Sequence, residues 1–267
     1  MNYLIAGLAK SGTTILFSRL KQAISPEPEA FFEPDRDEQL KEILEAGATG
    51  HTLTKVLIGR VTSKNHCLAQ FDRHIVIYRD PRDQFISMLL YLFYDFQVNG
   101  DHTGYQKAFE ALTRKVQDPA GQSTIDLYNL VAGLVGRAPI AVFGNLHREQ
   151  RAYIDAFSPH LLRYEDFIDQ QLQPAEQYLA LDLHNDAQVP DSYTRVARSK
   201  AYGDWKSWLN EQDLDYINRA WGNTIQSQGY TLQYSGNELS ILTSTSIDYV
   251  RRFNPSRQRD DSAPESH

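Results

Sequence analysis

The chain has 267 residues, 34 acidic against 27 basic side chains, and a formal net charge of −7. That acidic balance argues against a generic nucleic-acid binder, whose footprint is basic, and a single cysteine, Cys67, excludes an internal disulfide framework and fits a reducing compartment. A hydrophobic fraction of 41% over this length suffices for a buried core, while no apolar run approaches the roughly 20 residues that span a bilayer.

Asn2–Ala6 is a short apolar run that stops at Gly7, and an amphipathic run follows over Gly12–Ala23. Strand, glycine-bearing turn and helix make the first half of a βαβ unit. A strand pattern that begins at once is read as leaving no place for a secretory signal peptide, so a cytoplasmic protein is expected. Residues 27–45 then hold eight acids (Glu27, Glu29, Glu33, Asp35, Asp37, Glu38, Glu42, Glu45) against two bases (Arg36, Lys41), −6 of the total −7. Further strands are predicted at Thr52–Ile58, His74–Tyr78 and Leu161–Tyr164. Asp80 is expected to cap a helix that starts at Pro81 and runs through Tyr91. Other helices are predicted around 104–117, 123–136, 146–156, 174–180 and 210–228. Gln97–Thr124 reads as an insertion or a lid.

Short apolar strands alternating with longer helices predict an α/β fold, a P-loop-like three-layer α/β/α sandwich around a mainly parallel sheet. A single domain is expected over 1–253. The Pro-, Ser-, Arg- and Asp-rich stretch 254–267 reads as a flexible tail.

Gly7-Leu8-Ala9-Lys10-Ser11-Gly12-Thr13-Thr14 falls where the first strand turns into the first helix. A helix N-terminus exposes unpaired N–H groups that attract an anion, although glycine and serine are also ordinary turn chemistry. A nucleotide-triphosphate loop needs lysine directly after its second glycine; here Thr13 stands there and the lysine comes earlier, at Lys10. Arg79-Asp80-Pro81-Arg82-Asp83 places a second polar cluster at a strand end, the edge where open α/β sheets bind ligands. A helix-capping salt-bridge cluster is the alternative.

Lys10-Ser11-Gly12-Thr13-Thr14 resembles the 5′-phosphosulfate loop of sulfotransferases that use 3′-phosphoadenosine 5′-phosphosulfate (PAPS). Arg79 and Ser87 resemble the family's 3′-phosphate pair, and Tyr164-Glu165-Asp166 its Y-E-D element. Arg198-Ser199-Lys200-Ala201-Tyr202-Gly203-Asp204-Trp205-Lys206 is similar to its cofactor-closing loop, R-K-G-x-x-G-D-W-K. The four motifs cover roughly residues 3 to 230 in the family's order. The resemblance implies the sulfotransferase fold, transfer of a sulfuryl group from PAPS to a hydroxyl with PAP as product, and cofactor contacts at Lys10, Ser11, Gly12, Thr13, Thr14, Arg79, Ser87, Tyr164, Arg198, Ser199 and Lys200. The adenine-packing tryptophan of the family is Ile15 here, and its K-T-H histidine would fall near Val56 or Leu57, leaving only Lys55.

In-line sulfuryl transfer requires charge stabilisation on the leaving oxygen and a base for the acceptor hydroxyl. Lys10 is assigned to the leaving oxygen, with Lys55 sharing that role or holding the acceptor. For the base, Glu33 ranks first, within a Phe32-Glu33-Pro34 element similar to one in carbohydrate sulfotransferases. Glu29 ranks second and His51 third. Phe31 and Phe32 are expected to desolvate such a carboxylate and suit it to proton abstraction. The acidic segment is expected to mark the acceptor side, and Ile86–Phe96 either packs in the core or lines an acceptor pocket. No metal is expected, because the eight histidines lack ligand spacing. The expected partner is a small-molecule hydroxyl acceptor, not nucleic acid. A P-loop kinase and a non-catalytic PAP-binding module are the competing readings.

Overall fold

In the computed structural model, residues 1–48, 50–61, 65–185, 198, 201–234 and 239–256 are described. The elements are β1 (Asn2–Gly7), α1 (Thr13–Ala23), β2 (Glu29–Phe32), α2 (Asp37–Ala46), β3 (Thr52–Leu57), β4 (Arg73–Tyr78), α3 (Pro81–Tyr91), α4 (Phe93–Asn99), α5 (His102–Gln117) and α6 (Thr124–Leu134). There follow α7 (Phe143–Phe157), β5 (His160–Arg163), α8 (Tyr164–Ile168), α9 (Gln173–Leu179), α10 (Trp205–Trp208), α11 (Glu211–Ser227) and α12 (Ile247–Arg251), with short 3₁₀ turns between some of them.

The chain divides into two compact units. The first, Met1–Gln84 with Val142–Gly203 and Trp221–Leu232, carries the whole sheet, five parallel strands in the order β2-β3-β1-β4-β5. The inner strands β1, β3 and β4 are buried on both faces, which is why β1 and β4 read as near-continuous apolar runs rather than alternating ones. The pleat sends Tyr3, Ile5, Leu53, Ile75 and Ile77 to one face, against Leu16 and Leu20 of α1, Phe167 of α8 and Leu179 of α9. It sends Leu4, Ala6, Val56 and Val76 to the other, against Leu40 and Ile43 of α2 and Tyr153 of α7. Helices therefore cover both faces. From β1 the chain crosses to the edge at β2, returns to β3 beside β1, and then adds β4 and β5 on the other side of β1, so the connections diverge between β1 and β4, where ligands bind in such sheets.

The second unit, Phe85–Ala141 with Asp204–Ala220 and the C-terminal residues from Gln233, is helical. Ile86, Leu89, Leu90, Phe93 and Phe96 are fully buried, so the core reading of 86–96 holds for these residues. The segment 97–124 is built into the same unit: Tyr105 Oη donates to the Val250 carbonyl at 3.2 Å, and buried Lys115 Nζ donates to the Pro119 and Gln122 carbonyls at 2.7 Å. Among the described residues no helix is long and apolar enough to cross a membrane.

Candidate active site

The turn after β1 is set by two residues. Ser11 Oγ and its backbone N–H both donate to the Leu8 carbonyl, at 2.8 and 3.2 Å. Gly12 stands at φ +100°, and a Cβ there would lie 2.5 Å from Cδ2 of Tyr164, so the close approach and the backbone both require glycine. Lys10, at φ 68°, is also left-handed, a conformation that costs a side-chain-bearing residue roughly 1–3 kcal/mol and clusters at functional sites. Gln84 Nε2 donates to the Ala9 carbonyl at 2.7 Å and ties the turn to the first turn of α3. The N-cap of α1, Gly12, has no side chain to take up the first N–H groups, which suits that end to an anion.

Arg79 follows β4 directly. It is 6% exposed, its guanidinium carbon sits 4.4 Å from the centroid of the Tyr164 ring, and Nη2 donates to the Ala201 carbonyl at 3.0 Å. Its buried Nε meets no partner among the described residues. Burial pushes the Tyr164 hydroxyl above its ordinary value, while the positive charges of Arg79 and Arg198 pull it back, so Arg198 acts on the same ring. The neighbouring acid serves structure: Asp80 accepts the Arg82 N–H at 2.9 Å at the start of α3 and pairs with the Arg82 guanidinium through both carboxylate oxygens, at 2.9 and 2.7 Å. The capping cluster expected as the alternative is thus real, and Arg79 stands outside it. Glu165 of the Tyr-Glu-Asp element is buried, accepting from the Asp80 N–H at 3.2 Å and from Tyr230 Oη at 2.7 Å. Asp83 accepts from the Gly203 N–H at 2.5 Å, anchoring the start of the Gly-Asp-Trp-Lys run.

On the other flank of β1, Lys55 of β3 is 2% exposed. Its Nζ lies 2.5 Å from Glu33 Oε1, 3.3 Å from Thr14 Oγ1 and 3.9 Å from the centroid of the Phe32 ring. Glu33 is the first residue past β2, left-handed at φ 59°, and its second oxygen accepts from Arg60 Nη1 at 2.9 Å. Thr14, Lys55 and Glu33 therefore form one hydrogen-bonded chain from the turn to the carboxylate. Arg60 was not among the residues singled out from sequence, although it shares the signal of Arg79, a cation just past a strand's C-terminal end.

The other proposed bases are not brought to this edge. Glu29 opens β2 and His51 precedes β3, level with Asn2 through the pairs Glu29↔Thr52 and Asn2↔Thr52. Gly7 pairs with Leu57, five residues further, or about 16 Å along the strands at ~3.3 Å each. The His51 ring packs edge-on against Tyr3 instead. The desolvating aromatic wall expected around Glu33 also gives way to a different arrangement. Phe31 and Phe32 pack on opposite faces of the sheet, and the Glu33 oxygens meet Lys55 and Arg60.

Thr13 is buried and Ile15 is half-buried beside the core under α1. Ser87 is buried on α3, in the second unit. Ser199 and Lys200, like residues 257–267 of the expected tail, lie outside the described residues. Of the eight acids in 27–45, seven are exposed and only Glu33 is drawn inward. Glu38, Glu42 and Glu45 form the solvated face of α2, whose Leu40 and Ile43 enter the core. Among the described residues, Glu176, Asp182 and His184 bring ligand-type atoms within 4.8 Å of one another. His184 Nδ1 already pairs with Glu176 at 2.8 Å, and the group is largely exposed, so it carries no metal reading. No protein-family profile and no curated protein matches the chain.

Proposed function

We propose that the chain is a sulfotransferase that moves the sulfuryl group of PAPS to the hydroxyl of a small-molecule, lipid-like or carbohydrate acceptor, on the P-loop-like sulfotransferase fold. The observation that carries this reading is the Thr14–Lys55–Glu33 chain, which links the proposed phosphosulfate turn to a carboxylate at the same sheet edge. The residues fit the donor's chemistry. Gly12 keeps the turn clear of a Cβ where its backbone approaches Tyr164, and Arg79 offers a buried Nε without a partner among the described residues. Lys10, Lys55, Arg79 and Arg198 supply positive charge for a molecule carrying roughly −4.

The donor, when bound, supplies the activated sulfuryl group. Lys10 and the first N–H groups of α1 hold the 5′ end and stabilise charge on the leaving oxygen. Arg79 holds the 3′-phosphate. Lys55 positions Glu33 and carries positive charge to the reacting centre. A carboxylate oxygen offers two acceptor sites, so Glu33 has room for the acceptor hydroxyl and takes its proton with Lys55 and Arg60 in place.

A thermal-shift comparison of PAP, PAPS, ATP–Mg²⁺ and NAD tests the reading, because a ligand that binds only the folded chain raises the midpoint. PAP and PAPS should raise it; a rise with ATP–Mg²⁺ alone would favour a kinase. The two cations on Glu33 favour a second reading, a non-catalytic PAP-binding module. That module would show the PAP shift and transfer nothing to a broad panel of hydroxyl acceptors.

A further inference from the structure

The first unit carries a second concavity, lined by none of the residues of the site above. A cavity of about 510 Å³ is bounded by α7, by the last turns of α11, and by Tyr78 and Leu161 at the β4 and β5 strands. That is within the range of small-molecule pockets. Ile154 and Leu161 give it an apolar wall, and Leu161 is 45% exposed there.

Its floor is polar and under-partnered. His147 is 2% exposed, and neither ring nitrogen meets a partner among the described residues. Gln228 Nε2 donates to Gln150 Oε1 at 3.2 Å, which leaves Gln150 Nε2 and Gln228 Oε1 without partners among the described residues. A few such buried atoms per 100 residues is usual; here three belong to residues that line one cavity and the fourth to Gln150, bonded to one of them. The imidazole is neutral near pH 7, since burial lowers its pKa to about 4, so it offers one donor and one acceptor.

The rim decides the charge of the ligand. Arg148 and Arg151 line the cavity and none of its described lining residues is acidic. Among the described residues, Arg151 pairs with exposed Asp155, one turn along α7, and such a pair is weak enough to yield to a ligand. We propose that this cavity binds a small ring-bearing carboxylate. Its anionic group meets Arg148 and Arg151, its ring lies on Ile154 and Leu161, and a hydroxyl at the far end reaches His147 and the Gln228 amide. The inference is independent of the nucleotide reading, because it shares no residue with that site.

Isothermal titration of the full chain with 6-hydroxy-2-naphthoate tests it. The expected result is saturable binding of one equivalent, undisturbed by excess PAP. Loss of the two charge-assisted contacts in the surface double variant Arg148→Gln/Arg151→Gln should weaken it by about tenfold or more. 2-Naphthol, which lacks the carboxylate, should bind correspondingly worse. His147→Phe should abolish the preference for 6-hydroxy-2-naphthoate over 2-naphthoate. Absence of saturation up to about 5 mM, which leaves less than ~3 kcal/mol of binding, would overturn the proposal. So would displacement by PAP, or equal affinity in the double variant.

Discussion

Lys55 holds an unusual position, a lysine on an interior strand with its ammonium inside the protein. The pleat that sends Leu53 into the core also directs Lys55 to that face, and only its place near the strand's C-terminal end lets Nζ reach Thr14 and Glu33. Glu33 reaches back because its backbone turns left-handed immediately after β2. Replacing the carboxylate by an amide keeps shape and removes basicity, so Glu33→Gln should lower kcat by roughly 10²–10⁴ while isothermal titration finds PAP affinity nearly unchanged. Near-normal turnover would remove Glu33 from the role. At Gly12 the prediction is structural as well as functional. Gly12→Ala forces a Cβ into Tyr164 at a left-handed position, and urea unfolding should show a loss of about 1–3 kcal/mol. The PAP-induced rise in melting temperature should vanish with it. These residues were legible because their types and spacing are chemical; Arg60 became visible only when β3 and the three residues after it were placed beside Glu33.

At the scale of elements, the strongly patterned segments were legible and the short or charge-rich ones were not. Four of the five strands and the helix after Pro81 were readable from apolar runs and from Asp80-Pro81. Strand β2 is four residues at the sheet edge between Pro28 and Pro34, too short for a periodic signal. Helix α2 did carry one, Leu40, Ile43 and Leu44 at helical spacing, but its acids read as a segment apart when they are its solvated face. Invisible in sequence too was the way α11 caps α6. Asp213, fully buried, accepts from Ser123 Oγ at 2.6 Å and from the Thr124 and Ile125 N–H groups at 2.9 and 3.3 Å. Asp213→Ala leaves those buried donors unpaired and should cost about 2–4 kcal/mol in urea unfolding. A loss below about 0.5 kcal/mol, the scale of a surface change, would show that the cap is dispensable.

At the scale of the whole molecule, acid should weaken the fold through its buried histidines. Burial lowers His74 and His147 to about 4, against about 6.5 in an unfolded chain. As pH falls below about 6.5 the unfolded chain takes up protons that the folded one refuses, so stability declines and the loss levels off below about 4. At pH 5 each histidine should contribute a loss of about 2 kcal/mol. Urea unfolding at pH 7 and pH 5 measures it, and the double variant His74→Gln/His147→Leu should flatten the difference; an unchanged difference would locate the sensitivity elsewhere. The net charge of −7 resolves in the same way once residues are placed. Most of it lies on exposed acids of 27–45, while Lys10 follows β1, Arg79 follows β4 and Lys55 stands near the C-terminal end of β3, the three adjoining strands of the sheet. Under the proposed function, attraction of an anionic nucleotide is a local property of that edge. The most direct test compares PAP with adenosine 5′-monophosphate, which lacks only the 3′-phosphate, by isothermal titration. Charge-assisted bonds to Arg79 at ~1.5–3 kcal/mol should make PAP bind about 10- to 100-fold more tightly; equal affinities, or no binding of either, would contradict a PAPS site at this sheet edge.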